Sequence, residues 1–531
     1  MRHTFSTRTI VIAFGAAALM GCAADVGSGD GGADTGRAGD ANGDANVTTD
    51  ARNPDVQRMG TDRGTMLPPG TPPPMPPATP PNAACPTAFT MCGTTCVTTD
   101  SDNQNCGMCG HTCAAGTGCS NGQCVTAETV GAGPAMCAGG LGPPIHIGGI
   151  STSGERCAGQ IAQATFRWGL CSCESVSSAG LLYTDGFDSH AAPYVPGGLG
   201  GGVGMNARWG ASGATDIRGT FWLGDGGSAS GTLYIGQQLH AARNFNATGV
   251  TVADDAYIDG DANFNGTVAN VLRVPDSADV GSGVSYGSLA RGPVSVPLPC
   301  DCDAASILPI QAIIDHHRTD NDNAAIGLDP AIFSRSTGTP RLLELPCGRY
   351  YLDEVPTFVT IVTRAHTALF VGGAVGGAGT LSIVTQGEGE LDLFVGGRLG
   401  GAVTMVLGSI TRPSHTRVYV ASTQGVSFAG DSVIGANLYV PNGTVNFAGG
   451  LSMFGGVFAH DASWAGDLLI HYDTDVLHAG DPCGPPPTGC TSCHDCGNQA
   501  CVDGQCGACR TSADCCAPLE CSNGVCVAVP E

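Results

Sequence analysis

The chain is 531 residues long with a formal net charge of −24; charged residues make up only 13% of it, while glycine occupies 82 positions. That charge excludes nucleic acid and electrostatic docking on anionic lipid, since both need clustered basic side chains. So much glycine and so little charge favour strands and turns, and the length allows several domains, one of them large enough to bury a sizeable core.

Residues 1–22 read as an export signal. Arg2 and Arg8 precede an apolar run over 9–20, too short for a bilayer core that needs about 20 helical residues. The run ends in Leu19-Met20-Gly21-Cys22, which resembles the lipobox of bacterial lipoproteins. The resemblance implies that Cys22 accepts the lipid and that acyl chains attach the mature protein to the membrane. The expected location is the cell envelope, as an outer-membrane lipoprotein that is periplasmic or surface-exposed. Residues 23–84, rich in Gly and Asp and then in Pro, hold too little apolar surface to offset chain entropy and read as a disordered linker.

Setting Cys22 aside leaves an even number of the 27 cysteines, suited to complete pairing in an oxidising compartment. A first module, residues 85–125, contains Cys85, Cys92, Cys96, Cys106, Cys109, Cys113, Cys119 and Cys124. Its Cys92-Gly-Thr-Thr-Cys96 and Asn105-Cys106-Gly-Met-Cys109-Gly110 resemble short cysteine-rich repeats of secreted proteins from environmental Gram-negative bacteria. Cys106 and Cys109 have zinc-ligand spacing, but export favours disulfides. A knot-like module at 490–527 holds Cys490, Cys493, Cys496, Cys501, Cys506, Cys509, Cys515, Cys516, Cys521 and Cys526. The strings Cys119-Ser-Asn-Gly-Gln-Cys124, Cys501-Val-Asp-Gly-Gln-Cys506 and Cys521-Ser-Asn-Gly-Val-Cys526 carry the dipeptides that tight hairpin turns demand. Cys490-Thr-Ser-Cys493-His494 matches a c-type haem attachment motif. In so cysteine-dense a segment a neighbouring histidine specifies little, and no cofactor is expected.

Between the modules, residues 135–483 form the body. Val426-Ser-Phe428, Val445-Asn-Phe447 and Ala462-Ser-Trp464 recur, as do Phe370-Val-Gly-Gly373 and Phe394-Val-Gly-Gly397. Short strands repeating at this period suit a parallel β-helix, in which one coil cannot bury its face alone and stacking makes a continuous core. The strings Leu369-Phe-Val-Gly-Gly373, Ala436-Asn-Leu-Tyr-Val-Pro441, Phe454-Gly-Gly-Val-Phe-Ala459 and Ile470-His-Tyr-Asp473 resemble an uncharacterised domain family of pilus-assembly-associated and other secreted bacterial proteins, likened to bactofilin coils. The resemblance implies a right-handed parallel β-helix and brings no catalytic residues. The expected fold class is therefore all-β: this helix, flanked by small disulfide-rich modules, behind a disordered N-terminal tether. Residues 300–347 depart from the pattern, with a helix expected over 304–317 and Cys300 and Cys347 placed to tie off an excursion.

That excursion contains Asp315-His316-His317, the triplet of a manganese phosphoesterase family, but Asp301 and Asp303 lack the buried strand that should precede them. Glu388, Glu390 and Asp392 alternate along a strand, weak candidates for calcium or glycosidic acid–base work; the preferred reading turns Leu391 and Leu393 inward and the acids to solvent. Asp259 and Asp261 receive the same reading. The function expected is non-enzymatic: a structural or adhesive lipoprotein, with an envelope protein or an extracellular polysaccharide as partner. A polysaccharide-binding or polysaccharide-cleaving helix is the alternative, and haem or metal binding through the C-terminal module a third.

Overall fold

The structure, a computed structural model, describes residues 89–128 except 94; 131; 142–147; 155–478 except 157, 175, 335–337 and 429–431; 490, 493, and 500–527 except 517, 518, 523 and 524. Cys22, the linker, Cys85, Cys496 and His494 lie outside the described residues. No helix among the described residues is long and apolar enough to cross a membrane.

The body is a parallel β-helix, its strands joined in one 27-stranded sheet. Each coil contributes to three faces, here called A, B and C. Face A runs through Arg341–Leu345 and Val359–Thr363, face B through Gly348–Leu352 and Thr367–Val371, and face C begins with the start of Val375–Thr385. Alternation decides which side chains fill the interior: in Thr367–Val371, Leu369 and Val371 enter the core while Phe370 points out. The expected repeats stack in register. Val426, Val445 and Ala462 pair in succession, Phe428, Phe447 and Trp464 do likewise on the inside, and Phe370 pairs with Phe394 on the outside.

The order of coils in space differs from their order in the chain. Coils over 170–291 run from Leu170–Ser172 to Val284–Arg291, and coils over 341–473 run from Arg341–Leu345 to Leu468–Asp473. The last coil of the second set stacks on the first coil of the first set, Val457 on Leu170, Ala462 on Val176 and Leu468 on Leu182. The helix is therefore continuous, and its second half in sequence comes first in space.

Residues 292–323 return the chain along face B, after which Ile326, Leu328 and Phe333 join the interior core. The path is marked by its contacts: Trp222 Nε1 donates to Pro297 O (2.8 Å), Trp168 Nε1 to Pro299 O (3.1 Å), and Asn206 exchanges two bonds with Cys300 (2.8 and 2.9 Å). Farther along, Leu308 N donates to Tyr439 Oη, His317 stacks on Phe370, and Asn323 brackets the backbone of Tyr351. The return covers an outward aromatic ladder, Phe370, Phe394 and Tyr419, with ring centroids 5.0 and 4.6 Å apart. The helix Ala158–Thr165 and Phe166 add to the same apolar cluster. The helix in the return is Ile310–His317; the expected 304–317 is shortened because Pro309 sits at its start.

Disulfides correct one expectation. Cys300 does not close on Cys347: it bonds Cys171, and Cys302 bonds Cys173, so the return is fastened to the helix wall. Cys347 is disulfide-bonded elsewhere. The first module holds Cys92–Cys109, Cys106–Cys119 and Cys113–Cys124, and the last holds Cys490–Cys501, Cys493–Cys516, Cys509–Cys521 and Cys515–Cys526. Cys96 and Cys506 are also disulfide-bonded. Asn121-Gly122 and Asp503-Gly504 make the tight turns, all four at positive φ (49°, 71°, 54° and 79°). The first module lies on face A at the start of the stack. Val125 and Ala127 pack on the outward Leu342, Val362, Val384 and Val406, Ser120 Oγ donates to Arg341 O (2.9 Å), and Arg341 pairs with Glu128 (2.7 Å).

Candidate functional site

The acids of 388–392 are not a solvated row. Leu391 and Leu393 do enter the core, and Glu388 is exposed beside Arg412, but Asp392 is fully buried. Arg417, also fully buried, donates from Nε to Asp392 Oδ1 (2.7 Å) and from Nη2 to Asp392 Oδ2 (2.9 Å) and Glu390 Oε2 (2.7 Å). His366 Nε2 lies 3.2 Å from Asp392 Oδ2. Burial alone would push the Asp392 carboxyl up; the Arg417 charge and hydrogen bonds, with those of His366, overcome it and leave it at about 2. The cation that Asp392 and Glu390 hold is a guanidinium from the next coil. Leu391 and Leu393 point inward and Asp392 outward as expected, but Glu388 and Glu390 precede the strand Leu391–Val395 instead of alternating along it, and the strand's outer side at Asp392 is covered by the turn at Pro413–His415.

The other candidates also make structural contacts. His317 is buried against Phe370, its Nδ1 donating to Asp320 O (2.8 Å) and its Nε2 accepting from His146 N (3.1 Å); burial holds it down at about 4, and it stays neutral. His316 Nε2 lies 3.2 Å from Asp320 Oδ2, but Arg349 Nη1 lies as close to the same oxygen. Asp301 pairs with Arg167 (3.0 Å). Asp261 takes its place in a corner ladder, accepting from Asn244 Nδ2 and Asp279 N, and Asp259 is exposed beside it. Cys490 and Cys493, the sulfurs a haem would need, are bound to Cys501 and Cys516.

A cluster the sequence did not reveal sits on face A where the two halves meet. His471 pairs in register with Asp185, and its Nδ1 lies 2.7 Å from Asp185 Oδ1. Asp185 Oδ2 also accepts from Tyr183 Oη (3.0 Å), Tyr194 Oη (3.0 Å) and Gly197 N (2.8 Å). On its other side, His471 Nε2 faces Ser452 Oγ at 3.1 Å. Asp185 is fully buried, His471 nearly so, and Ser452 half-buried. Burial, then the charge and hydrogen bond of Asp185, push both tyrosine hydroxyls up, so they remain donors at neutral pH. Ser452 and His471 are 19 residues apart, within the range of the repeat interval, and that much was available from periodicity; Asp185 is 286 residues from His471 and was not.

A cleft of about 620 Å³ opens between the first module and face A, reaching Val433 on the strand that pairs with that of Ser452. Val384, Val406 and Val433 line it on the helix side, Phe89 and residues 96–104 on the module side. A second, shallower concavity of about 680 Å³ on face C is lined by small residues such as Gly210, Ser228, Asn246 and Asn263 and carries no acid or base.

The fold and these sites define a disulfide-capped parallel β-helix with a return segment stapled along one face. Residues 302–478 match a family model described as a domain of unknown function, DUF7305, and residues 80–128 match the stigma-specific STIG1-like protein family. The first match spans most of the return segment and the second set of coils. No curated protein and no solved structure matches the chain.

Proposed function

We propose that the protein is an envelope lipoprotein, anchored through Cys22, that holds a rigid β-helix off the membrane as a structural or adhesive element contacting an envelope protein or an extracellular polysaccharide. What supports this reading is the construction of the body. Two sets of coils merge into one continuous stack, the return segment is fixed to its wall by Cys171–Cys300 and Cys173–Cys302, and a disulfide-rich module is seated on its first coils. Such a body resists local opening, and its disulfides suit an oxidising compartment. Two measurements test it. Cys22→Ser should move the protein from the detergent phase to the aqueous phase. Protease shaving of intact cells should release peptides from 170–473 once the protease outlasts the folded state. Retention of the variant in detergent would overturn the anchor, and complete protection of those peptides would overturn surface display.

A further inference from the structure

We propose that Ser452, His471 and Asp185 form a nucleophilic centre that hydrolyses carboxylic esters whose apolar part lies in the cleft beneath the first module. This goes beyond the display reading and does not rest on it.

The hydrogen bonds select the tautomer. Asp185 Oδ1 can only accept, so His471 carries its proton on Nδ1 and leaves Nε2 as an acceptor for the Ser452 hydroxyl. The distances, 2.7 Å on one side and 3.1 Å on the other, are those of a base oriented by a carboxylate and in reach of a nucleophile. Tyr194 Oη, 2.8 Å from His471 Nδ1, and Gly197 N close over the carboxylate from the loop that follows Leu182–Phe187. Asp473 pins the start of that loop through Ser189, so the imidazole is held from two sides.

A purely supporting role accounts for Asp185, which already receives two tyrosine hydroxyls and a backbone N–H. It does not account for the half-buried serine on the far nitrogen, because a serine–imidazole bond at a partly exposed strand adds little to stability. Location completes the case. Ile434 pairs with Met453, which puts Val433 beside Ser452, about 4.8 Å away at strand spacing. Val433 lines the cleft, whose floor continues through Val406 and Val384. An apolar acyl or alkyl group along that floor would bring its ester carbonyl to the serine.

In the reaction, Ser452 Oγ attacks the carbonyl carbon as its proton passes to His471 Nε2, and Asp185 stabilises the imidazolium as a positioning residue. The carbonyl re-forms when the alkoxide leaves with that proton as an alcohol. Water then attacks the acyl-serine, giving its proton to Nε2; the carboxylic acid departs and Ser452 recovers its hydroxyl. The sum is ester plus water to acid plus alcohol.

The test uses the chain from residue 23 onward, with its disulfides formed, and a fluorophosphonate probe. Peptide mass spectrometry should find the adduct on Ser452 in folded protein and not in protein unfolded before exposure. Hydrolysis of p-nitrophenyl butyrate should be abolished in Ser452→Ala and fall at least ~100-fold in kcat, with KM little changed, in Asp185→Asn. Absence of the adduct from folded wild-type protein would overturn the proposal, as would undiminished hydrolysis by Ser452→Ala. The adduct is read on the unaltered chain, so the outcome does not depend on a variant folding.

Discussion

Arg417 owes its place to Asp392 and Glu390, and they to it. Breaking a buried pair on one side leaves the other charge uncompensated, which costs about 3–5 kcal/mol. Arg417→Met should therefore lower stability by that amount in urea unfolding, while Arg417→Met combined with Asp392→Leu should recover most of it, because Glu390 still reaches solvent. Equal loss in the two variants would show that packing at this position, not charge, is what matters. The pH dependence has a definite sign. Asp392 is held at about 2 against an ordinary 3.8, so its folded carboxylate contributes stability that is present above about pH 4 and is lost as pH falls toward 2. Wild-type stability should decline across that window, and the double variant should decline less. None of this was legible beforehand. Alternation told correctly that Asp392 faces outward, but whether an outward residue meets water depends on what else the chain lays over it, here a turn some twenty residues later.

The two staples of the return segment close loops of the same sequence separation, 129 residues each. Closing such a loop twice restrains the unfolded chain little more than closing it once. Removing Cys171–Cys300 alone, by serine at both positions, should thus cost under about 1 kcal/mol, and removing both staples about 4–5 kcal/mol on the chain-entropy account. Differential unfolding of the wild type, each single removal and the double removal measures this; additive losses from the single removals would mean that the staples hold separate pieces of structure. Cysteine counting pointed to the modules because, among the described residues, the disulfides within each one are local. It could not choose Cys171 as the partner of Cys300, since connectivity follows the path of the return, and that path is set by the outward Trp222, Trp168, Tyr439 and Phe370.

At the scale of the whole molecule, the repeated strings announced a stacked helix because each places an inward Phe or Trp at the same point of successive coils, as Phe428, Phe447 and Trp464 do. The same uniformity hid the order of the halves: a coil that accepts any similar coil on its open edge gives no sign of which one it receives. Asp473 ends face A at the point where Leu170 would begin face B of the next coil, as Thr363 leads into Thr367 within the second set. A permuted chain should therefore fold to the same stack. Opening between the exposed Gly338 and Thr339, and joining His478 to Ala158 through about eight Gly/Ser residues spanning ~15 Å, writes the coils in their spatial order. Ala158–Thr165 already packs against the turn Thr474–Leu477, so the new connection is short. Loss of both disulfide-rich modules uncovers Leu342, Val362, Val384 and Val406 and part of the outward aromatic cluster, and should lower stability without changing topology. Hydrogen exchange is the decisive measurement. Amides of Leu468–Asp473 and Leu182–Phe187 should be protected to the same extent as those of Leu391–Val395, because in the stack all three are interior strands. Rapid exchange confined to the first two would mean that the junction between the halves does not form without the native chain order.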